Sequence, residues 1–533
     1  MATWYVRPNT SHSATRDGTS YDTAWGGWSE IVWTSQGFKA PDDLYICGQH
    51  YYAAQINTGY HASTANSKAT IRGDYAPDPG VITFTASAWV FINRDYTTLK
   101  NLTINAGTAY CVYINGAPNT GTLIQGCTFT AGPTLQAINL FNADNQAFVD
   151  LTIDGNTFTG GNTTGVGSAI QWLASASLTT PRYLTRLSIT NNLFLNGKSN
   201  RAVIDLRLED LTTNTSYISD LTVSGNEFRN CAGVAVEAYI GVLGRNSGIR
   251  VTDNVMTGMY NLPGGMGGCF SIGGFGQSTT SGFGSNVIAR NRGSRIAGPS
   301  GFCNTFFGTY RVFNNYCEDL TTDTIDGNGI LFDHGSKDCI AHGNFIRRLT
   351  GNGAEGYYSG GFGILILDAT GCIAYGNVID GCVTGLAFGV KAGGQSSSVF
   401  NNTFANCSLA GAYLVSGSDL GTNQVKNNLF TASRPTYSVR NGTGTWTGEA
   451  GNCFSGFNGA TGHTLNAGTI TDDPKLDNDF RPQAAALVRS GANLGGKDFN
   501  GKQFYNPPNI GAVDDLTATP RYSFVDRKNY FLR

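Results

Sequence analysis

Gly155-Asn156-Thr157-Phe158 is the first copy of the four-residue motif that decides the fold of this chain. The motif is Gly, Asn or Asp, then Asn, then any residue, then an apolar one, and its Asn returns at intervals of 24 to 37 residues. The motif Asn residues, with Asn291 as a degenerate copy, are Asn156, Asn192, Asn226, Asn254, Asn291, Asn315, Asn344, Asn377, Asn402, Asn428 and Asn452. A repeat that is uneven in length but constant in motif indicates a stack of similar coils.

Each motif follows a stretch of alternating apolar and polar residues, such as Leu151 and Ile153 before Asn156. Period-two alternation predicts a half-buried strand, and the Gly or Asn that precedes the motif Asn suits a tight bend. We therefore predict an all-β protein, a right-handed parallel β-helix with coils about 4.8 Å apart. Stacking would place the apolar motif residues in an internal column and the Asn side chains in a hydrogen-bonded ladder. The alternative is a β-sandwich with Asn-rich hairpin turns.

The composition is typical of a turn-rich β protein with little helix. The chain has 533 residues, of which 71 are Gly and 14% are charged. A solenoid grows by adding coils, so this length requires no division into globular domains. The formal net charge of −2 provides no electrostatic reason to expect nucleic acid or an anionic membrane as partner. No apolar run approaches the length of a membrane span.

The twelve cysteines fall in register with the coils. Cys339 and Cys372 each stand five residues before a motif Asn, whereas Cys231, Cys382 and Cys407 each stand five residues after one. Equivalent positions on neighbouring coils predict stacks of reduced thiols inside the solenoid, where Cys acts as a small apolar residue. A disulfide between stacked neighbours such as Cys339 and Cys372 is the alternative.

Three segments are predicted along the chain. Residues 1–70 differ from the repeat and are expected to form an N-terminal cap, with a short amphipathic helix over residues 24–32. Residues 71–455 are expected to form the parallel β-helix. Residues 456–533 break the repeat and are expected to form a C-terminal cap and a tail that makes an oligomer contact.

The opening Tyr5-Val6-Arg7-Pro8, the Asn-containing coils and the closing Asn509-Ile510-Gly511-Ala512 resemble the right-handed parallel β-helix superfamily. That superfamily includes pectate lyases, polygalacturonases, alginate-processing enzymes and bacteriophage tailspikes. The resemblance covers nearly the whole chain and implies the fold, with a polysaccharide as partner. The catalytic patterns of pectate lyases and polygalacturonases find no clear match here, so the resemblance implies no specific reaction.

The first residues, Met1 to Val6, lack the charged and apolar regions of a secretory signal. Secreted bacterial lyases usually carry such a signal, whereas phage tail proteins fold in the host cytoplasm and leave by lysis. We therefore expect a virion protein of the phage tail. The resemblance to tailspikes also implies a homotrimer or contacts with other virion proteins.

Aligning the strand that follows each bend predicts an outward-facing column of side chains, polar in the middle and apolar toward the C-terminal coils. Its members are Asn139, Gln171, Asp205, Glu237, a gap near Gly273, Thr305, Asp333, Leu367 and Gly389. At the next outward position Arg207 aligns with Tyr239, which extends the column into a patch.

Asp205 and Glu237 are the candidate catalytic residues of this patch. They lie one coil apart, so their carboxyls are expected about 5 Å from each other, the spacing of a retaining glycosidase pair. Crowding would raise one pKa and supply an acid beside a carboxylate base. Gln171, Arg207 and Tyr239 are the candidate substrate-binding residues. The alternative is a set of solvated outward residues balanced by Arg207.

A second acidic cluster is confined to one coil and contains Glu318, Asp319, Asp323, Asp326, Asp333, His334 and Asp338. Oxygen-rich loops of this kind can hold Ca²⁺, the one cofactor that the sequence suggests. His334 beside Asp333 is a candidate catalytic base for a lyase or a hydrolase. The alternative is a polar loop with a turn at Asp326-Gly327-Asn328-Gly329.

Aromatic residues in Gly-rich loops provide further candidates for substrate binding. Tyr357, Tyr358, Phe275 and Phe283 lie in loops longer than a plain coil requires, where a solenoid places its binding surface. These side chains are expected to stack on sugars. Subunit contacts are the alternative.

The first functional hypothesis is a tailspike-like phage tail protein that binds, and as a further expectation depolymerises, a host surface polysaccharide. A second is a non-enzymatic virion component such as a fibre, collar or head decoration. A third is a bacterial polysaccharide lyase or glycoside hydrolase without a phage context.

Overall fold

The computed structural model describes the chain in segments. These are residues 1–8, 15–34, 36–59, 61, 63–115, 119–130, 137–141, 147–160, 167–173, 182–208, 216–240, 245–274, 286–322, 327–351, 360–389, 396–414, 423–434, 437–441, 448–460, 464–484, 486–488, 490–505 and 508–513. The chain divides into two compact units, Met1–Gly267 with Gly273–Gly284 and Gly268–Ile272 with Ser285–Arg533. Among the described residues no helix is long and apolar enough to cross a membrane.

The first unit contains four sheets, named A to D, whose strands are numbered along the whole chain. Sheet A consists of β1 (Thr3–Val6), β2 (Asp43–Ile46), β5 (Ala69–Arg72), β8 (Thr97–Lys100), β12 (Leu123–Gln125), β16 (Thr152–Asp154), β20 (Ser188–Thr190), β24 (Thr222–Ser224) and β28 (Arg250–Thr252). Sheet B consists of β3 (Gln49–Tyr52), β6 (Val81–Phe84), β9 (Thr103–Asn105), β13 (Thr128–Thr130), β17 (Thr157–Thr159), β21 (Leu193–Leu195), β25 (Glu227–Arg229) and β29 (Val255–Thr257).

Sheet C carries the candidate site and consists of β4 (Ile56–Asn57), β7 (Val90–Ile92), β10 (Val112–Asn115), β14 (Ile138–Phe141), β18 (Ile170–Leu173), β22 (Lys198–Leu208) and β26 (Ala232–Ile240). Sheet D is small and consists of β11 (Asn119–Thr120), β15 (Ala147–Val149), β19 (Tyr183–Thr185), β23 (Tyr217–Ser219) and β27 (Arg245–Ser247). Where a short helix was predicted over residues 24–32, the structure has a 3-10 turn at Trp28–Glu30.

The second unit contains three sheets, named E to G. Sheet E consists of β31 (Asn286–Ala289), β34 (Tyr310–Phe313), β37 (Ile340–His342), β40 (Ile373–Tyr375), β43 (Ser398–Phe400), β46 (Gln424–Lys426) and β49 (Gly448–Ala450). Sheet F consists of β32 (Arg292–Ala297), β35 (Tyr316–Thr321), β38 (Phe345–Thr350), β41 (Val378–Asp380), β44 (Thr403–Cys407), β47 (Leu429–Ala432) and β50 (Cys453–Ser455). Sheet G consists of β30 (Gly268–Gly274), β33 (Cys303–Phe306), β36 (Ile330–Asp333), β39 (Phe362–Leu367), β42 (Thr384–Gly389), β45 (Ala410–Leu414) and β48 (Tyr437–Asn441).

Within each unit, every strand pairs in parallel with the equivalent strand of the neighbouring coil, as β12 does with β8 and β16. This coil architecture confirms the predicted fold class, a right-handed parallel β-helix. The predicted boundaries near residues 70 and 455 remain predictions. In the structure β1 already pairs with β2, and the last numbered strand ends at Ser455.

The motif forms the bend between consecutive strands. The residue before the motif Asn has a left-handed backbone, with φ of 64° at Gly155, 55° at Asn191 and 59° at Asp253. Gly, Asn and Asp adopt this conformation at the lowest cost. The degenerate copy bends in the same way, with φ of 56° at Arg290.

The motif Asn side chains form the predicted ladder. Asn226 Oδ1 accepts hydrogen bonds from the backbone N–H and the Nδ2 of Asn192, both at 3.0 Å. Its own Nδ2 donates to the carbonyl oxygen of Ile189 at 2.8 Å and to Asn254 Oδ1 at 3.0 Å. All the polar atoms of this buried amide are therefore satisfied by neighbouring coils, which fixes the register of the stack.

The interior of the coils also follows the prediction. Phe158, Phe194 and Phe228 stack in the internal column with ring centroids 4.8 and 4.7 Å apart. All twelve cysteines are buried free thiols in the structure. Cys382 Sγ and Cys407 Sγ lie 3.7 Å apart, a stacking contact without a disulfide.

In the second unit the segment after β50 returns along sheet F. Ile470 forms a parallel bridge with Cys453, and Asn401 Nδ2 donates to the carbonyl oxygen of Asn509 at 3.0 Å. Phe345 and Val378 of sheet F are buried against Phe499, Ala512 and Val513. The segment therefore covers outward side chains of this sheet.

Candidate functional site

The predicted column is present on sheet C of the first unit. Asn139 pairs with Gln171, Gln171 with Asp205, and Asp205 with Glu237. At the next outward position Arg207 pairs with Tyr239, as predicted. The structure therefore brings Gln171, Asp205, Arg207, Glu237 and Tyr239 together on consecutive strands.

The charged members of this patch form an ion-pair network, defined here as Asp205, Arg207, Glu237 and Arg201. Arg207 Nε lies 2.5 Å from Asp205 Oδ1, and Arg207 Nη2 lies 2.9 Å from Asp205 Oδ2. The same Nε lies 3.6 Å from Glu237 Oε2. Arg201 holds Glu237 from the other side, with Nε 2.8 Å from Oε2 and Nη2 3.0 Å from Oε1. Two guanidinium groups thus neutralise two carboxylates.

The network is buried, although its strands present these side chains on the outward face of the sheet. Asp205 and Glu237 are each 1% exposed, and Arg207 is 9% exposed. The alternative is therefore wrong about solvation, because both carboxylates are buried, whereas its expectation that Arg207 balances them is confirmed. Only Arg201 has substantial exposure, with 38% of its side chain accessible.

Burial raises the pKa of the Glu237 carboxyl above its usual value. The hydrogen bonds and charge of Arg201 oppose this shift, while the charge of Asp205 adds to it. The predicted raised pKa of one carboxyl thus has burial as its largest cause rather than crowding. Gln171 Nε2 approaches Asp205 Oδ2 at 3.4 Å and completes the polar surroundings.

The column continues in the N-terminal direction into aromatic residues that the sequence alignment did not reach. Asn139 pairs with Tyr113, and Tyr113 pairs with Phe91. We call the six aligned residues Phe91, Tyr113, Asn139, Gln171, Asp205 and Glu237 the sheet C ladder. The period-two patterns Trp89-Val90-Phe91 and Cys111-Val112-Tyr113 were the signal that would have extended the alignment.

Three more rings join Phe91 and Tyr113 in an aromatic cluster, defined here as Trp89, Phe91, Tyr110, Tyr113 and Phe141. The Tyr113 ring lies 5.9 Å from Phe91, 5.8 Å from Phe141, 5.7 Å from Trp89 and 5.4 Å from Tyr110, measured between centroids. All five side chains are half-buried. The cluster therefore combines mutual packing with a partly accessible apolar surface.

Asp333 and His334 lie in the second unit, at the end of β36. His334 Nε2 is 3.4 Å from Asp333 Oδ2, and the His334 backbone N–H donates to Asp333 Oδ1 at 2.6 Å. Asp333 is 2% exposed, whereas 47% of the His334 side chain is accessible. An exposed imidazole beside a buried carboxylate is consistent with the predicted general base.

The predicted column contains a register error in this unit. Thr305 pairs with Phe332 rather than with Asp333, and Phe306 is the partner of Asp333. Cys303 pairs with Ile330, so the register of β33 differs by one residue from the predicted alignment. The predicted pairing of Leu367 with Gly389 is confirmed.

The acidic cluster does not converge on one point in the described residues. Glu318 and Asp319 bind Arg348, whose Nη2 lies 3.0 Å from Glu318 Oε2 and 2.9 Å from Asp319 Oδ2. In the described part of the chain no group of three or more His, Cys, Asp or Glu side chains is placed to hold a metal ion. Asp323 and Asp326 lie outside the described residues, as do the predicted sugar-stacking residues Tyr357, Tyr358, Phe275 and Phe283. Calcium binding remains a prediction.

Comparison with known proteins provides a family match for part of the chain. Residues 88–277 match the family described as right handed beta helix region. No curated protein matches.

The solved structures that are similar to this chain include the following three. A PL6 alginate lyase solved with a trisaccharide is 14% identical, with 89% of each chain covered and a TM-score of 0.37. The tailspike protein of E. coli bacteriophage HK620, solved with a pentasaccharide, is 12% identical, with 77% of this chain and 73% of that chain covered and a TM-score of 0.36. The catalytic domain of a GH87 alpha-1,3-glucanase solved with tetrasaccharides is 13% identical, with 86% and 67% covered and a TM-score of 0.30.

Proposed function

This chain is a right-handed parallel β-helix protein, and we propose that it binds an extended polysaccharide along the outer face of sheet C. The observation that carries the proposal is the sheet C ladder. Six residues on consecutive strands pass from aromatic rings through two amides to the ion-pair network. A linear polymer of amphipathic sugar units fits the aromatic end of this face, because its apolar ring faces contact aromatic groups and the rings of Phe91 and Tyr113 are only half-buried.

Binding is tested by titrating the full chain with purified surface polysaccharides from candidate bacterial hosts in a calorimeter. We expect saturable binding that is weakened by Tyr239→Ala, a half-buried position of the same patch, and unchanged by Gln125→Ala on sheet A. Absence of binding to every polysaccharide in the set would contradict the proposal.

As a second step we propose that the ion-pair network depolymerises the bound polysaccharide. The raised pKa of Glu237 suits a proton donor, and Asp205 is the neighbouring carboxylate. Glu237→Gln should abolish cleavage while polysaccharide binding persists. Cleavage is measured as the formation of new reducing ends or as the absorbance of unsaturated uronates. Full cleavage by a folded Glu237→Gln variant would exclude Glu237 as the acid.

One observation favours a non-enzymatic alternative, a virion component such as a fibre, collar or head decoration. Both carboxylates of the network are 1% exposed and bound to guanidinium groups, so neither reaches a substrate in this conformation. Binding without any cleavage by the unmodified protein would support this alternative over a depolymerase.

We also propose that the protein is a tail-associated virion protein and a homotrimer. The support is the resemblance of its sequence to tailspikes. Sedimentation at micromolar concentration should give about three times the chain mass of 56.5 kDa. A monomer alone in that experiment would remove the trimer, and absence of the chain from purified phage particles would remove the virion assignment.

A further inference from the structure

The aromatic cluster and the ion-pair network both lie on the outward face of sheet C. The first consists of aromatic side chains and the second of charged side chains. Along sheet C the cluster has Phe91, Tyr113 and Phe141 on β7, β10 and β14, with Trp89 and Tyr110 just before the first two strands, whereas the network occupies β22 and β26. Neighbouring strands lie about 4.8 Å apart, so the ladder from Phe91 to Glu237 extends over about 24 Å. Its accessible members are Phe91 and Tyr113, which are half-buried, whereas Asn139, Gln171, Asp205 and Glu237 are buried.

In the described part of this face, the charges of the ion-pair network compensate one another. Arg201 and Arg207 both hold carboxylates, so the network as a whole is neutral. Arg182 stands beside the cluster with its guanidinium carbon 5.9 Å from the centre of the Phe141 ring, and it is 2% exposed. Arg94, two residues after the end of β7, is exposed, and the neighbouring Asp95 accepts a hydrogen bond from the backbone N–H of Thr120 at 2.7 Å.

The described outward positions of β7, β10 and β14 are uncharged. They are Phe91, Tyr113, Asn115, Asn139 and Phe141. A polymer with a carboxylate on each sugar would need cationic partners to offset the loss of its hydration. The face therefore disfavours polyuronates and favours uncharged rings.

We infer that the aromatic cluster is a subsite for neutral sugar rings, so the ligand is a polysaccharide composed mainly of uncharged hexoses. The inference rests on the proposed function and names its substrate class. Tyr113 is at the centre of the subsite, because its ring contacts the four other rings of the cluster. Asn139, its partner on β14, is 8% exposed, so the half-buried rings form the accessible part of the subsite.

The test titrates the full chain with neutral probes, dextran, mannan and an uncharged bacterial O-polysaccharide, and with anionic probes, alginate and polygalacturonate. Binding is followed by calorimetry at low and at physiological salt. We expect a neutral probe to bind, with an affinity that changes less than about twofold with salt, because no charges are screened.

The cluster itself is tested with Tyr113→Leu, which removes the ring but keeps apolar volume, and with Tyr113→Phe, which keeps the ring. We expect Tyr113→Leu to weaken binding about tenfold and Tyr113→Phe to leave it almost unchanged. Tyr51→Ala is the matched control, because Tyr51 is 66% exposed on β3 of sheet B. Thermal melting confirms that each variant is folded.

Each outcome decides a different point. Binding of the anionic probes alone, with strong salt dependence, overturns the neutral class and leaves the proposed function intact. Neutral binding that a folded Tyr113→Leu variant retains in full overturns the cluster as subsite. Binding of none of the probes overturns the inference, and the host-polysaccharide titration then decides the proposed function separately.

Discussion

Arg207 determines the chemistry available at the candidate site, because it contacts both candidate carboxylates. Its Nε lies 2.5 Å from Asp205 and 3.6 Å from Glu237. Burying four charges costs desolvation energy that their mutual attraction offsets only with good geometry. We therefore interpret the network as a device that holds two carboxyls in fixed positions, rather than as a source of stability.

Removal of one carboxylate charge from the network should lower the free energy of unfolding. In Asp205→Asn the buried Arg207 loses its carboxylate partner at 2.5 Å and keeps Glu237 at 3.6 Å. We therefore expect a loss of about 3 kcal/mol in the free energy of unfolding. Asp150→Asn is the control, because Asp150 pairs with Arg186 at 2.5 Å on the surface, where the side chains are 48% and 52% exposed. Denaturant unfolding of both variants checks this, and equal effects would contradict a buried network.

His61 predicts a dependence of stability on pH. Burial lowers its pKa to about 4, and the charge of Arg94 adds to this shift. Between pH 6.5 and 4 the unfolded chain binds a proton that the folded chain refuses, so stability is complete above this window and falls as the pH decreases through it. In the folded protein, His61 Nε2 lies 3.0 Å from Thr97 Oγ1, and His61 Nδ1 lies 2.8 Å from Ser63 Oγ.

Thermal midpoints measured from pH 7 to pH 4 test this expectation. The unmodified chain should lose stability across the window, and His61→Gln should lose less, since its side chain does not titrate. The same pH slope in the variant and the unmodified chain would show that His61 does not contribute.

At the scale of the element, the Asn motif combines a bend and a ladder in two adjacent residues. The first residue supplies the left-handed backbone, and the second supplies the amide that joins three coils. Sequence periodicity predicted both features correctly, because they are local and repeat in register. The error at Thr305 arose where the motif copy near Asn291 is degenerate, since the alignment there lacked a reliable reference position.

The ladder of motif Asn side chains should lose stability when one of its hydrogen-bond donors is removed. Asn226→Asp keeps the acceptor oxygen but loses the bonds to Ile189 and Asn254 and places carboxylate oxygens beside theirs. We expect a loss of about 2–4 kcal/mol in the free energy of unfolding. Asn230→Asp is the matched control, an exposed residue with φ of 52°, and should have little effect. Comparable midpoints for the two variants would argue against the ladder as a stabilising element.

At the scale of the whole molecule, the buried thiols report on the integrity of the coils. Burial raises the pKa of Cys111 and Cys127 to about 12, and a thiol is far less reactive than a thiolate. A disulfide-exchange reagent at pH 8 should therefore label none of the twelve cysteines quickly in the native protein and all twelve in guanidinium. Thr85→Cys, an exposed position, provides a control with one fast thiol. Fewer than twelve thiols in the denatured protein would indicate a disulfide.

The amino-acid sequence by itself determined the coil, its bends, its internal column and the alignment of Gln171, Asp205 and Glu237, because these depend on short patterns that repeat along the chain. Only the tertiary structure showed that the carboxylates are buried and that Arg201 joins the network. It also placed the five rings of the aromatic cluster together, three of them on neighbouring strands and Trp89 and Tyr110 just before two of these strands. Burial and ion pairing depend on contacts between side chains of several coils. The sequence pattern within one coil does not predict these contacts.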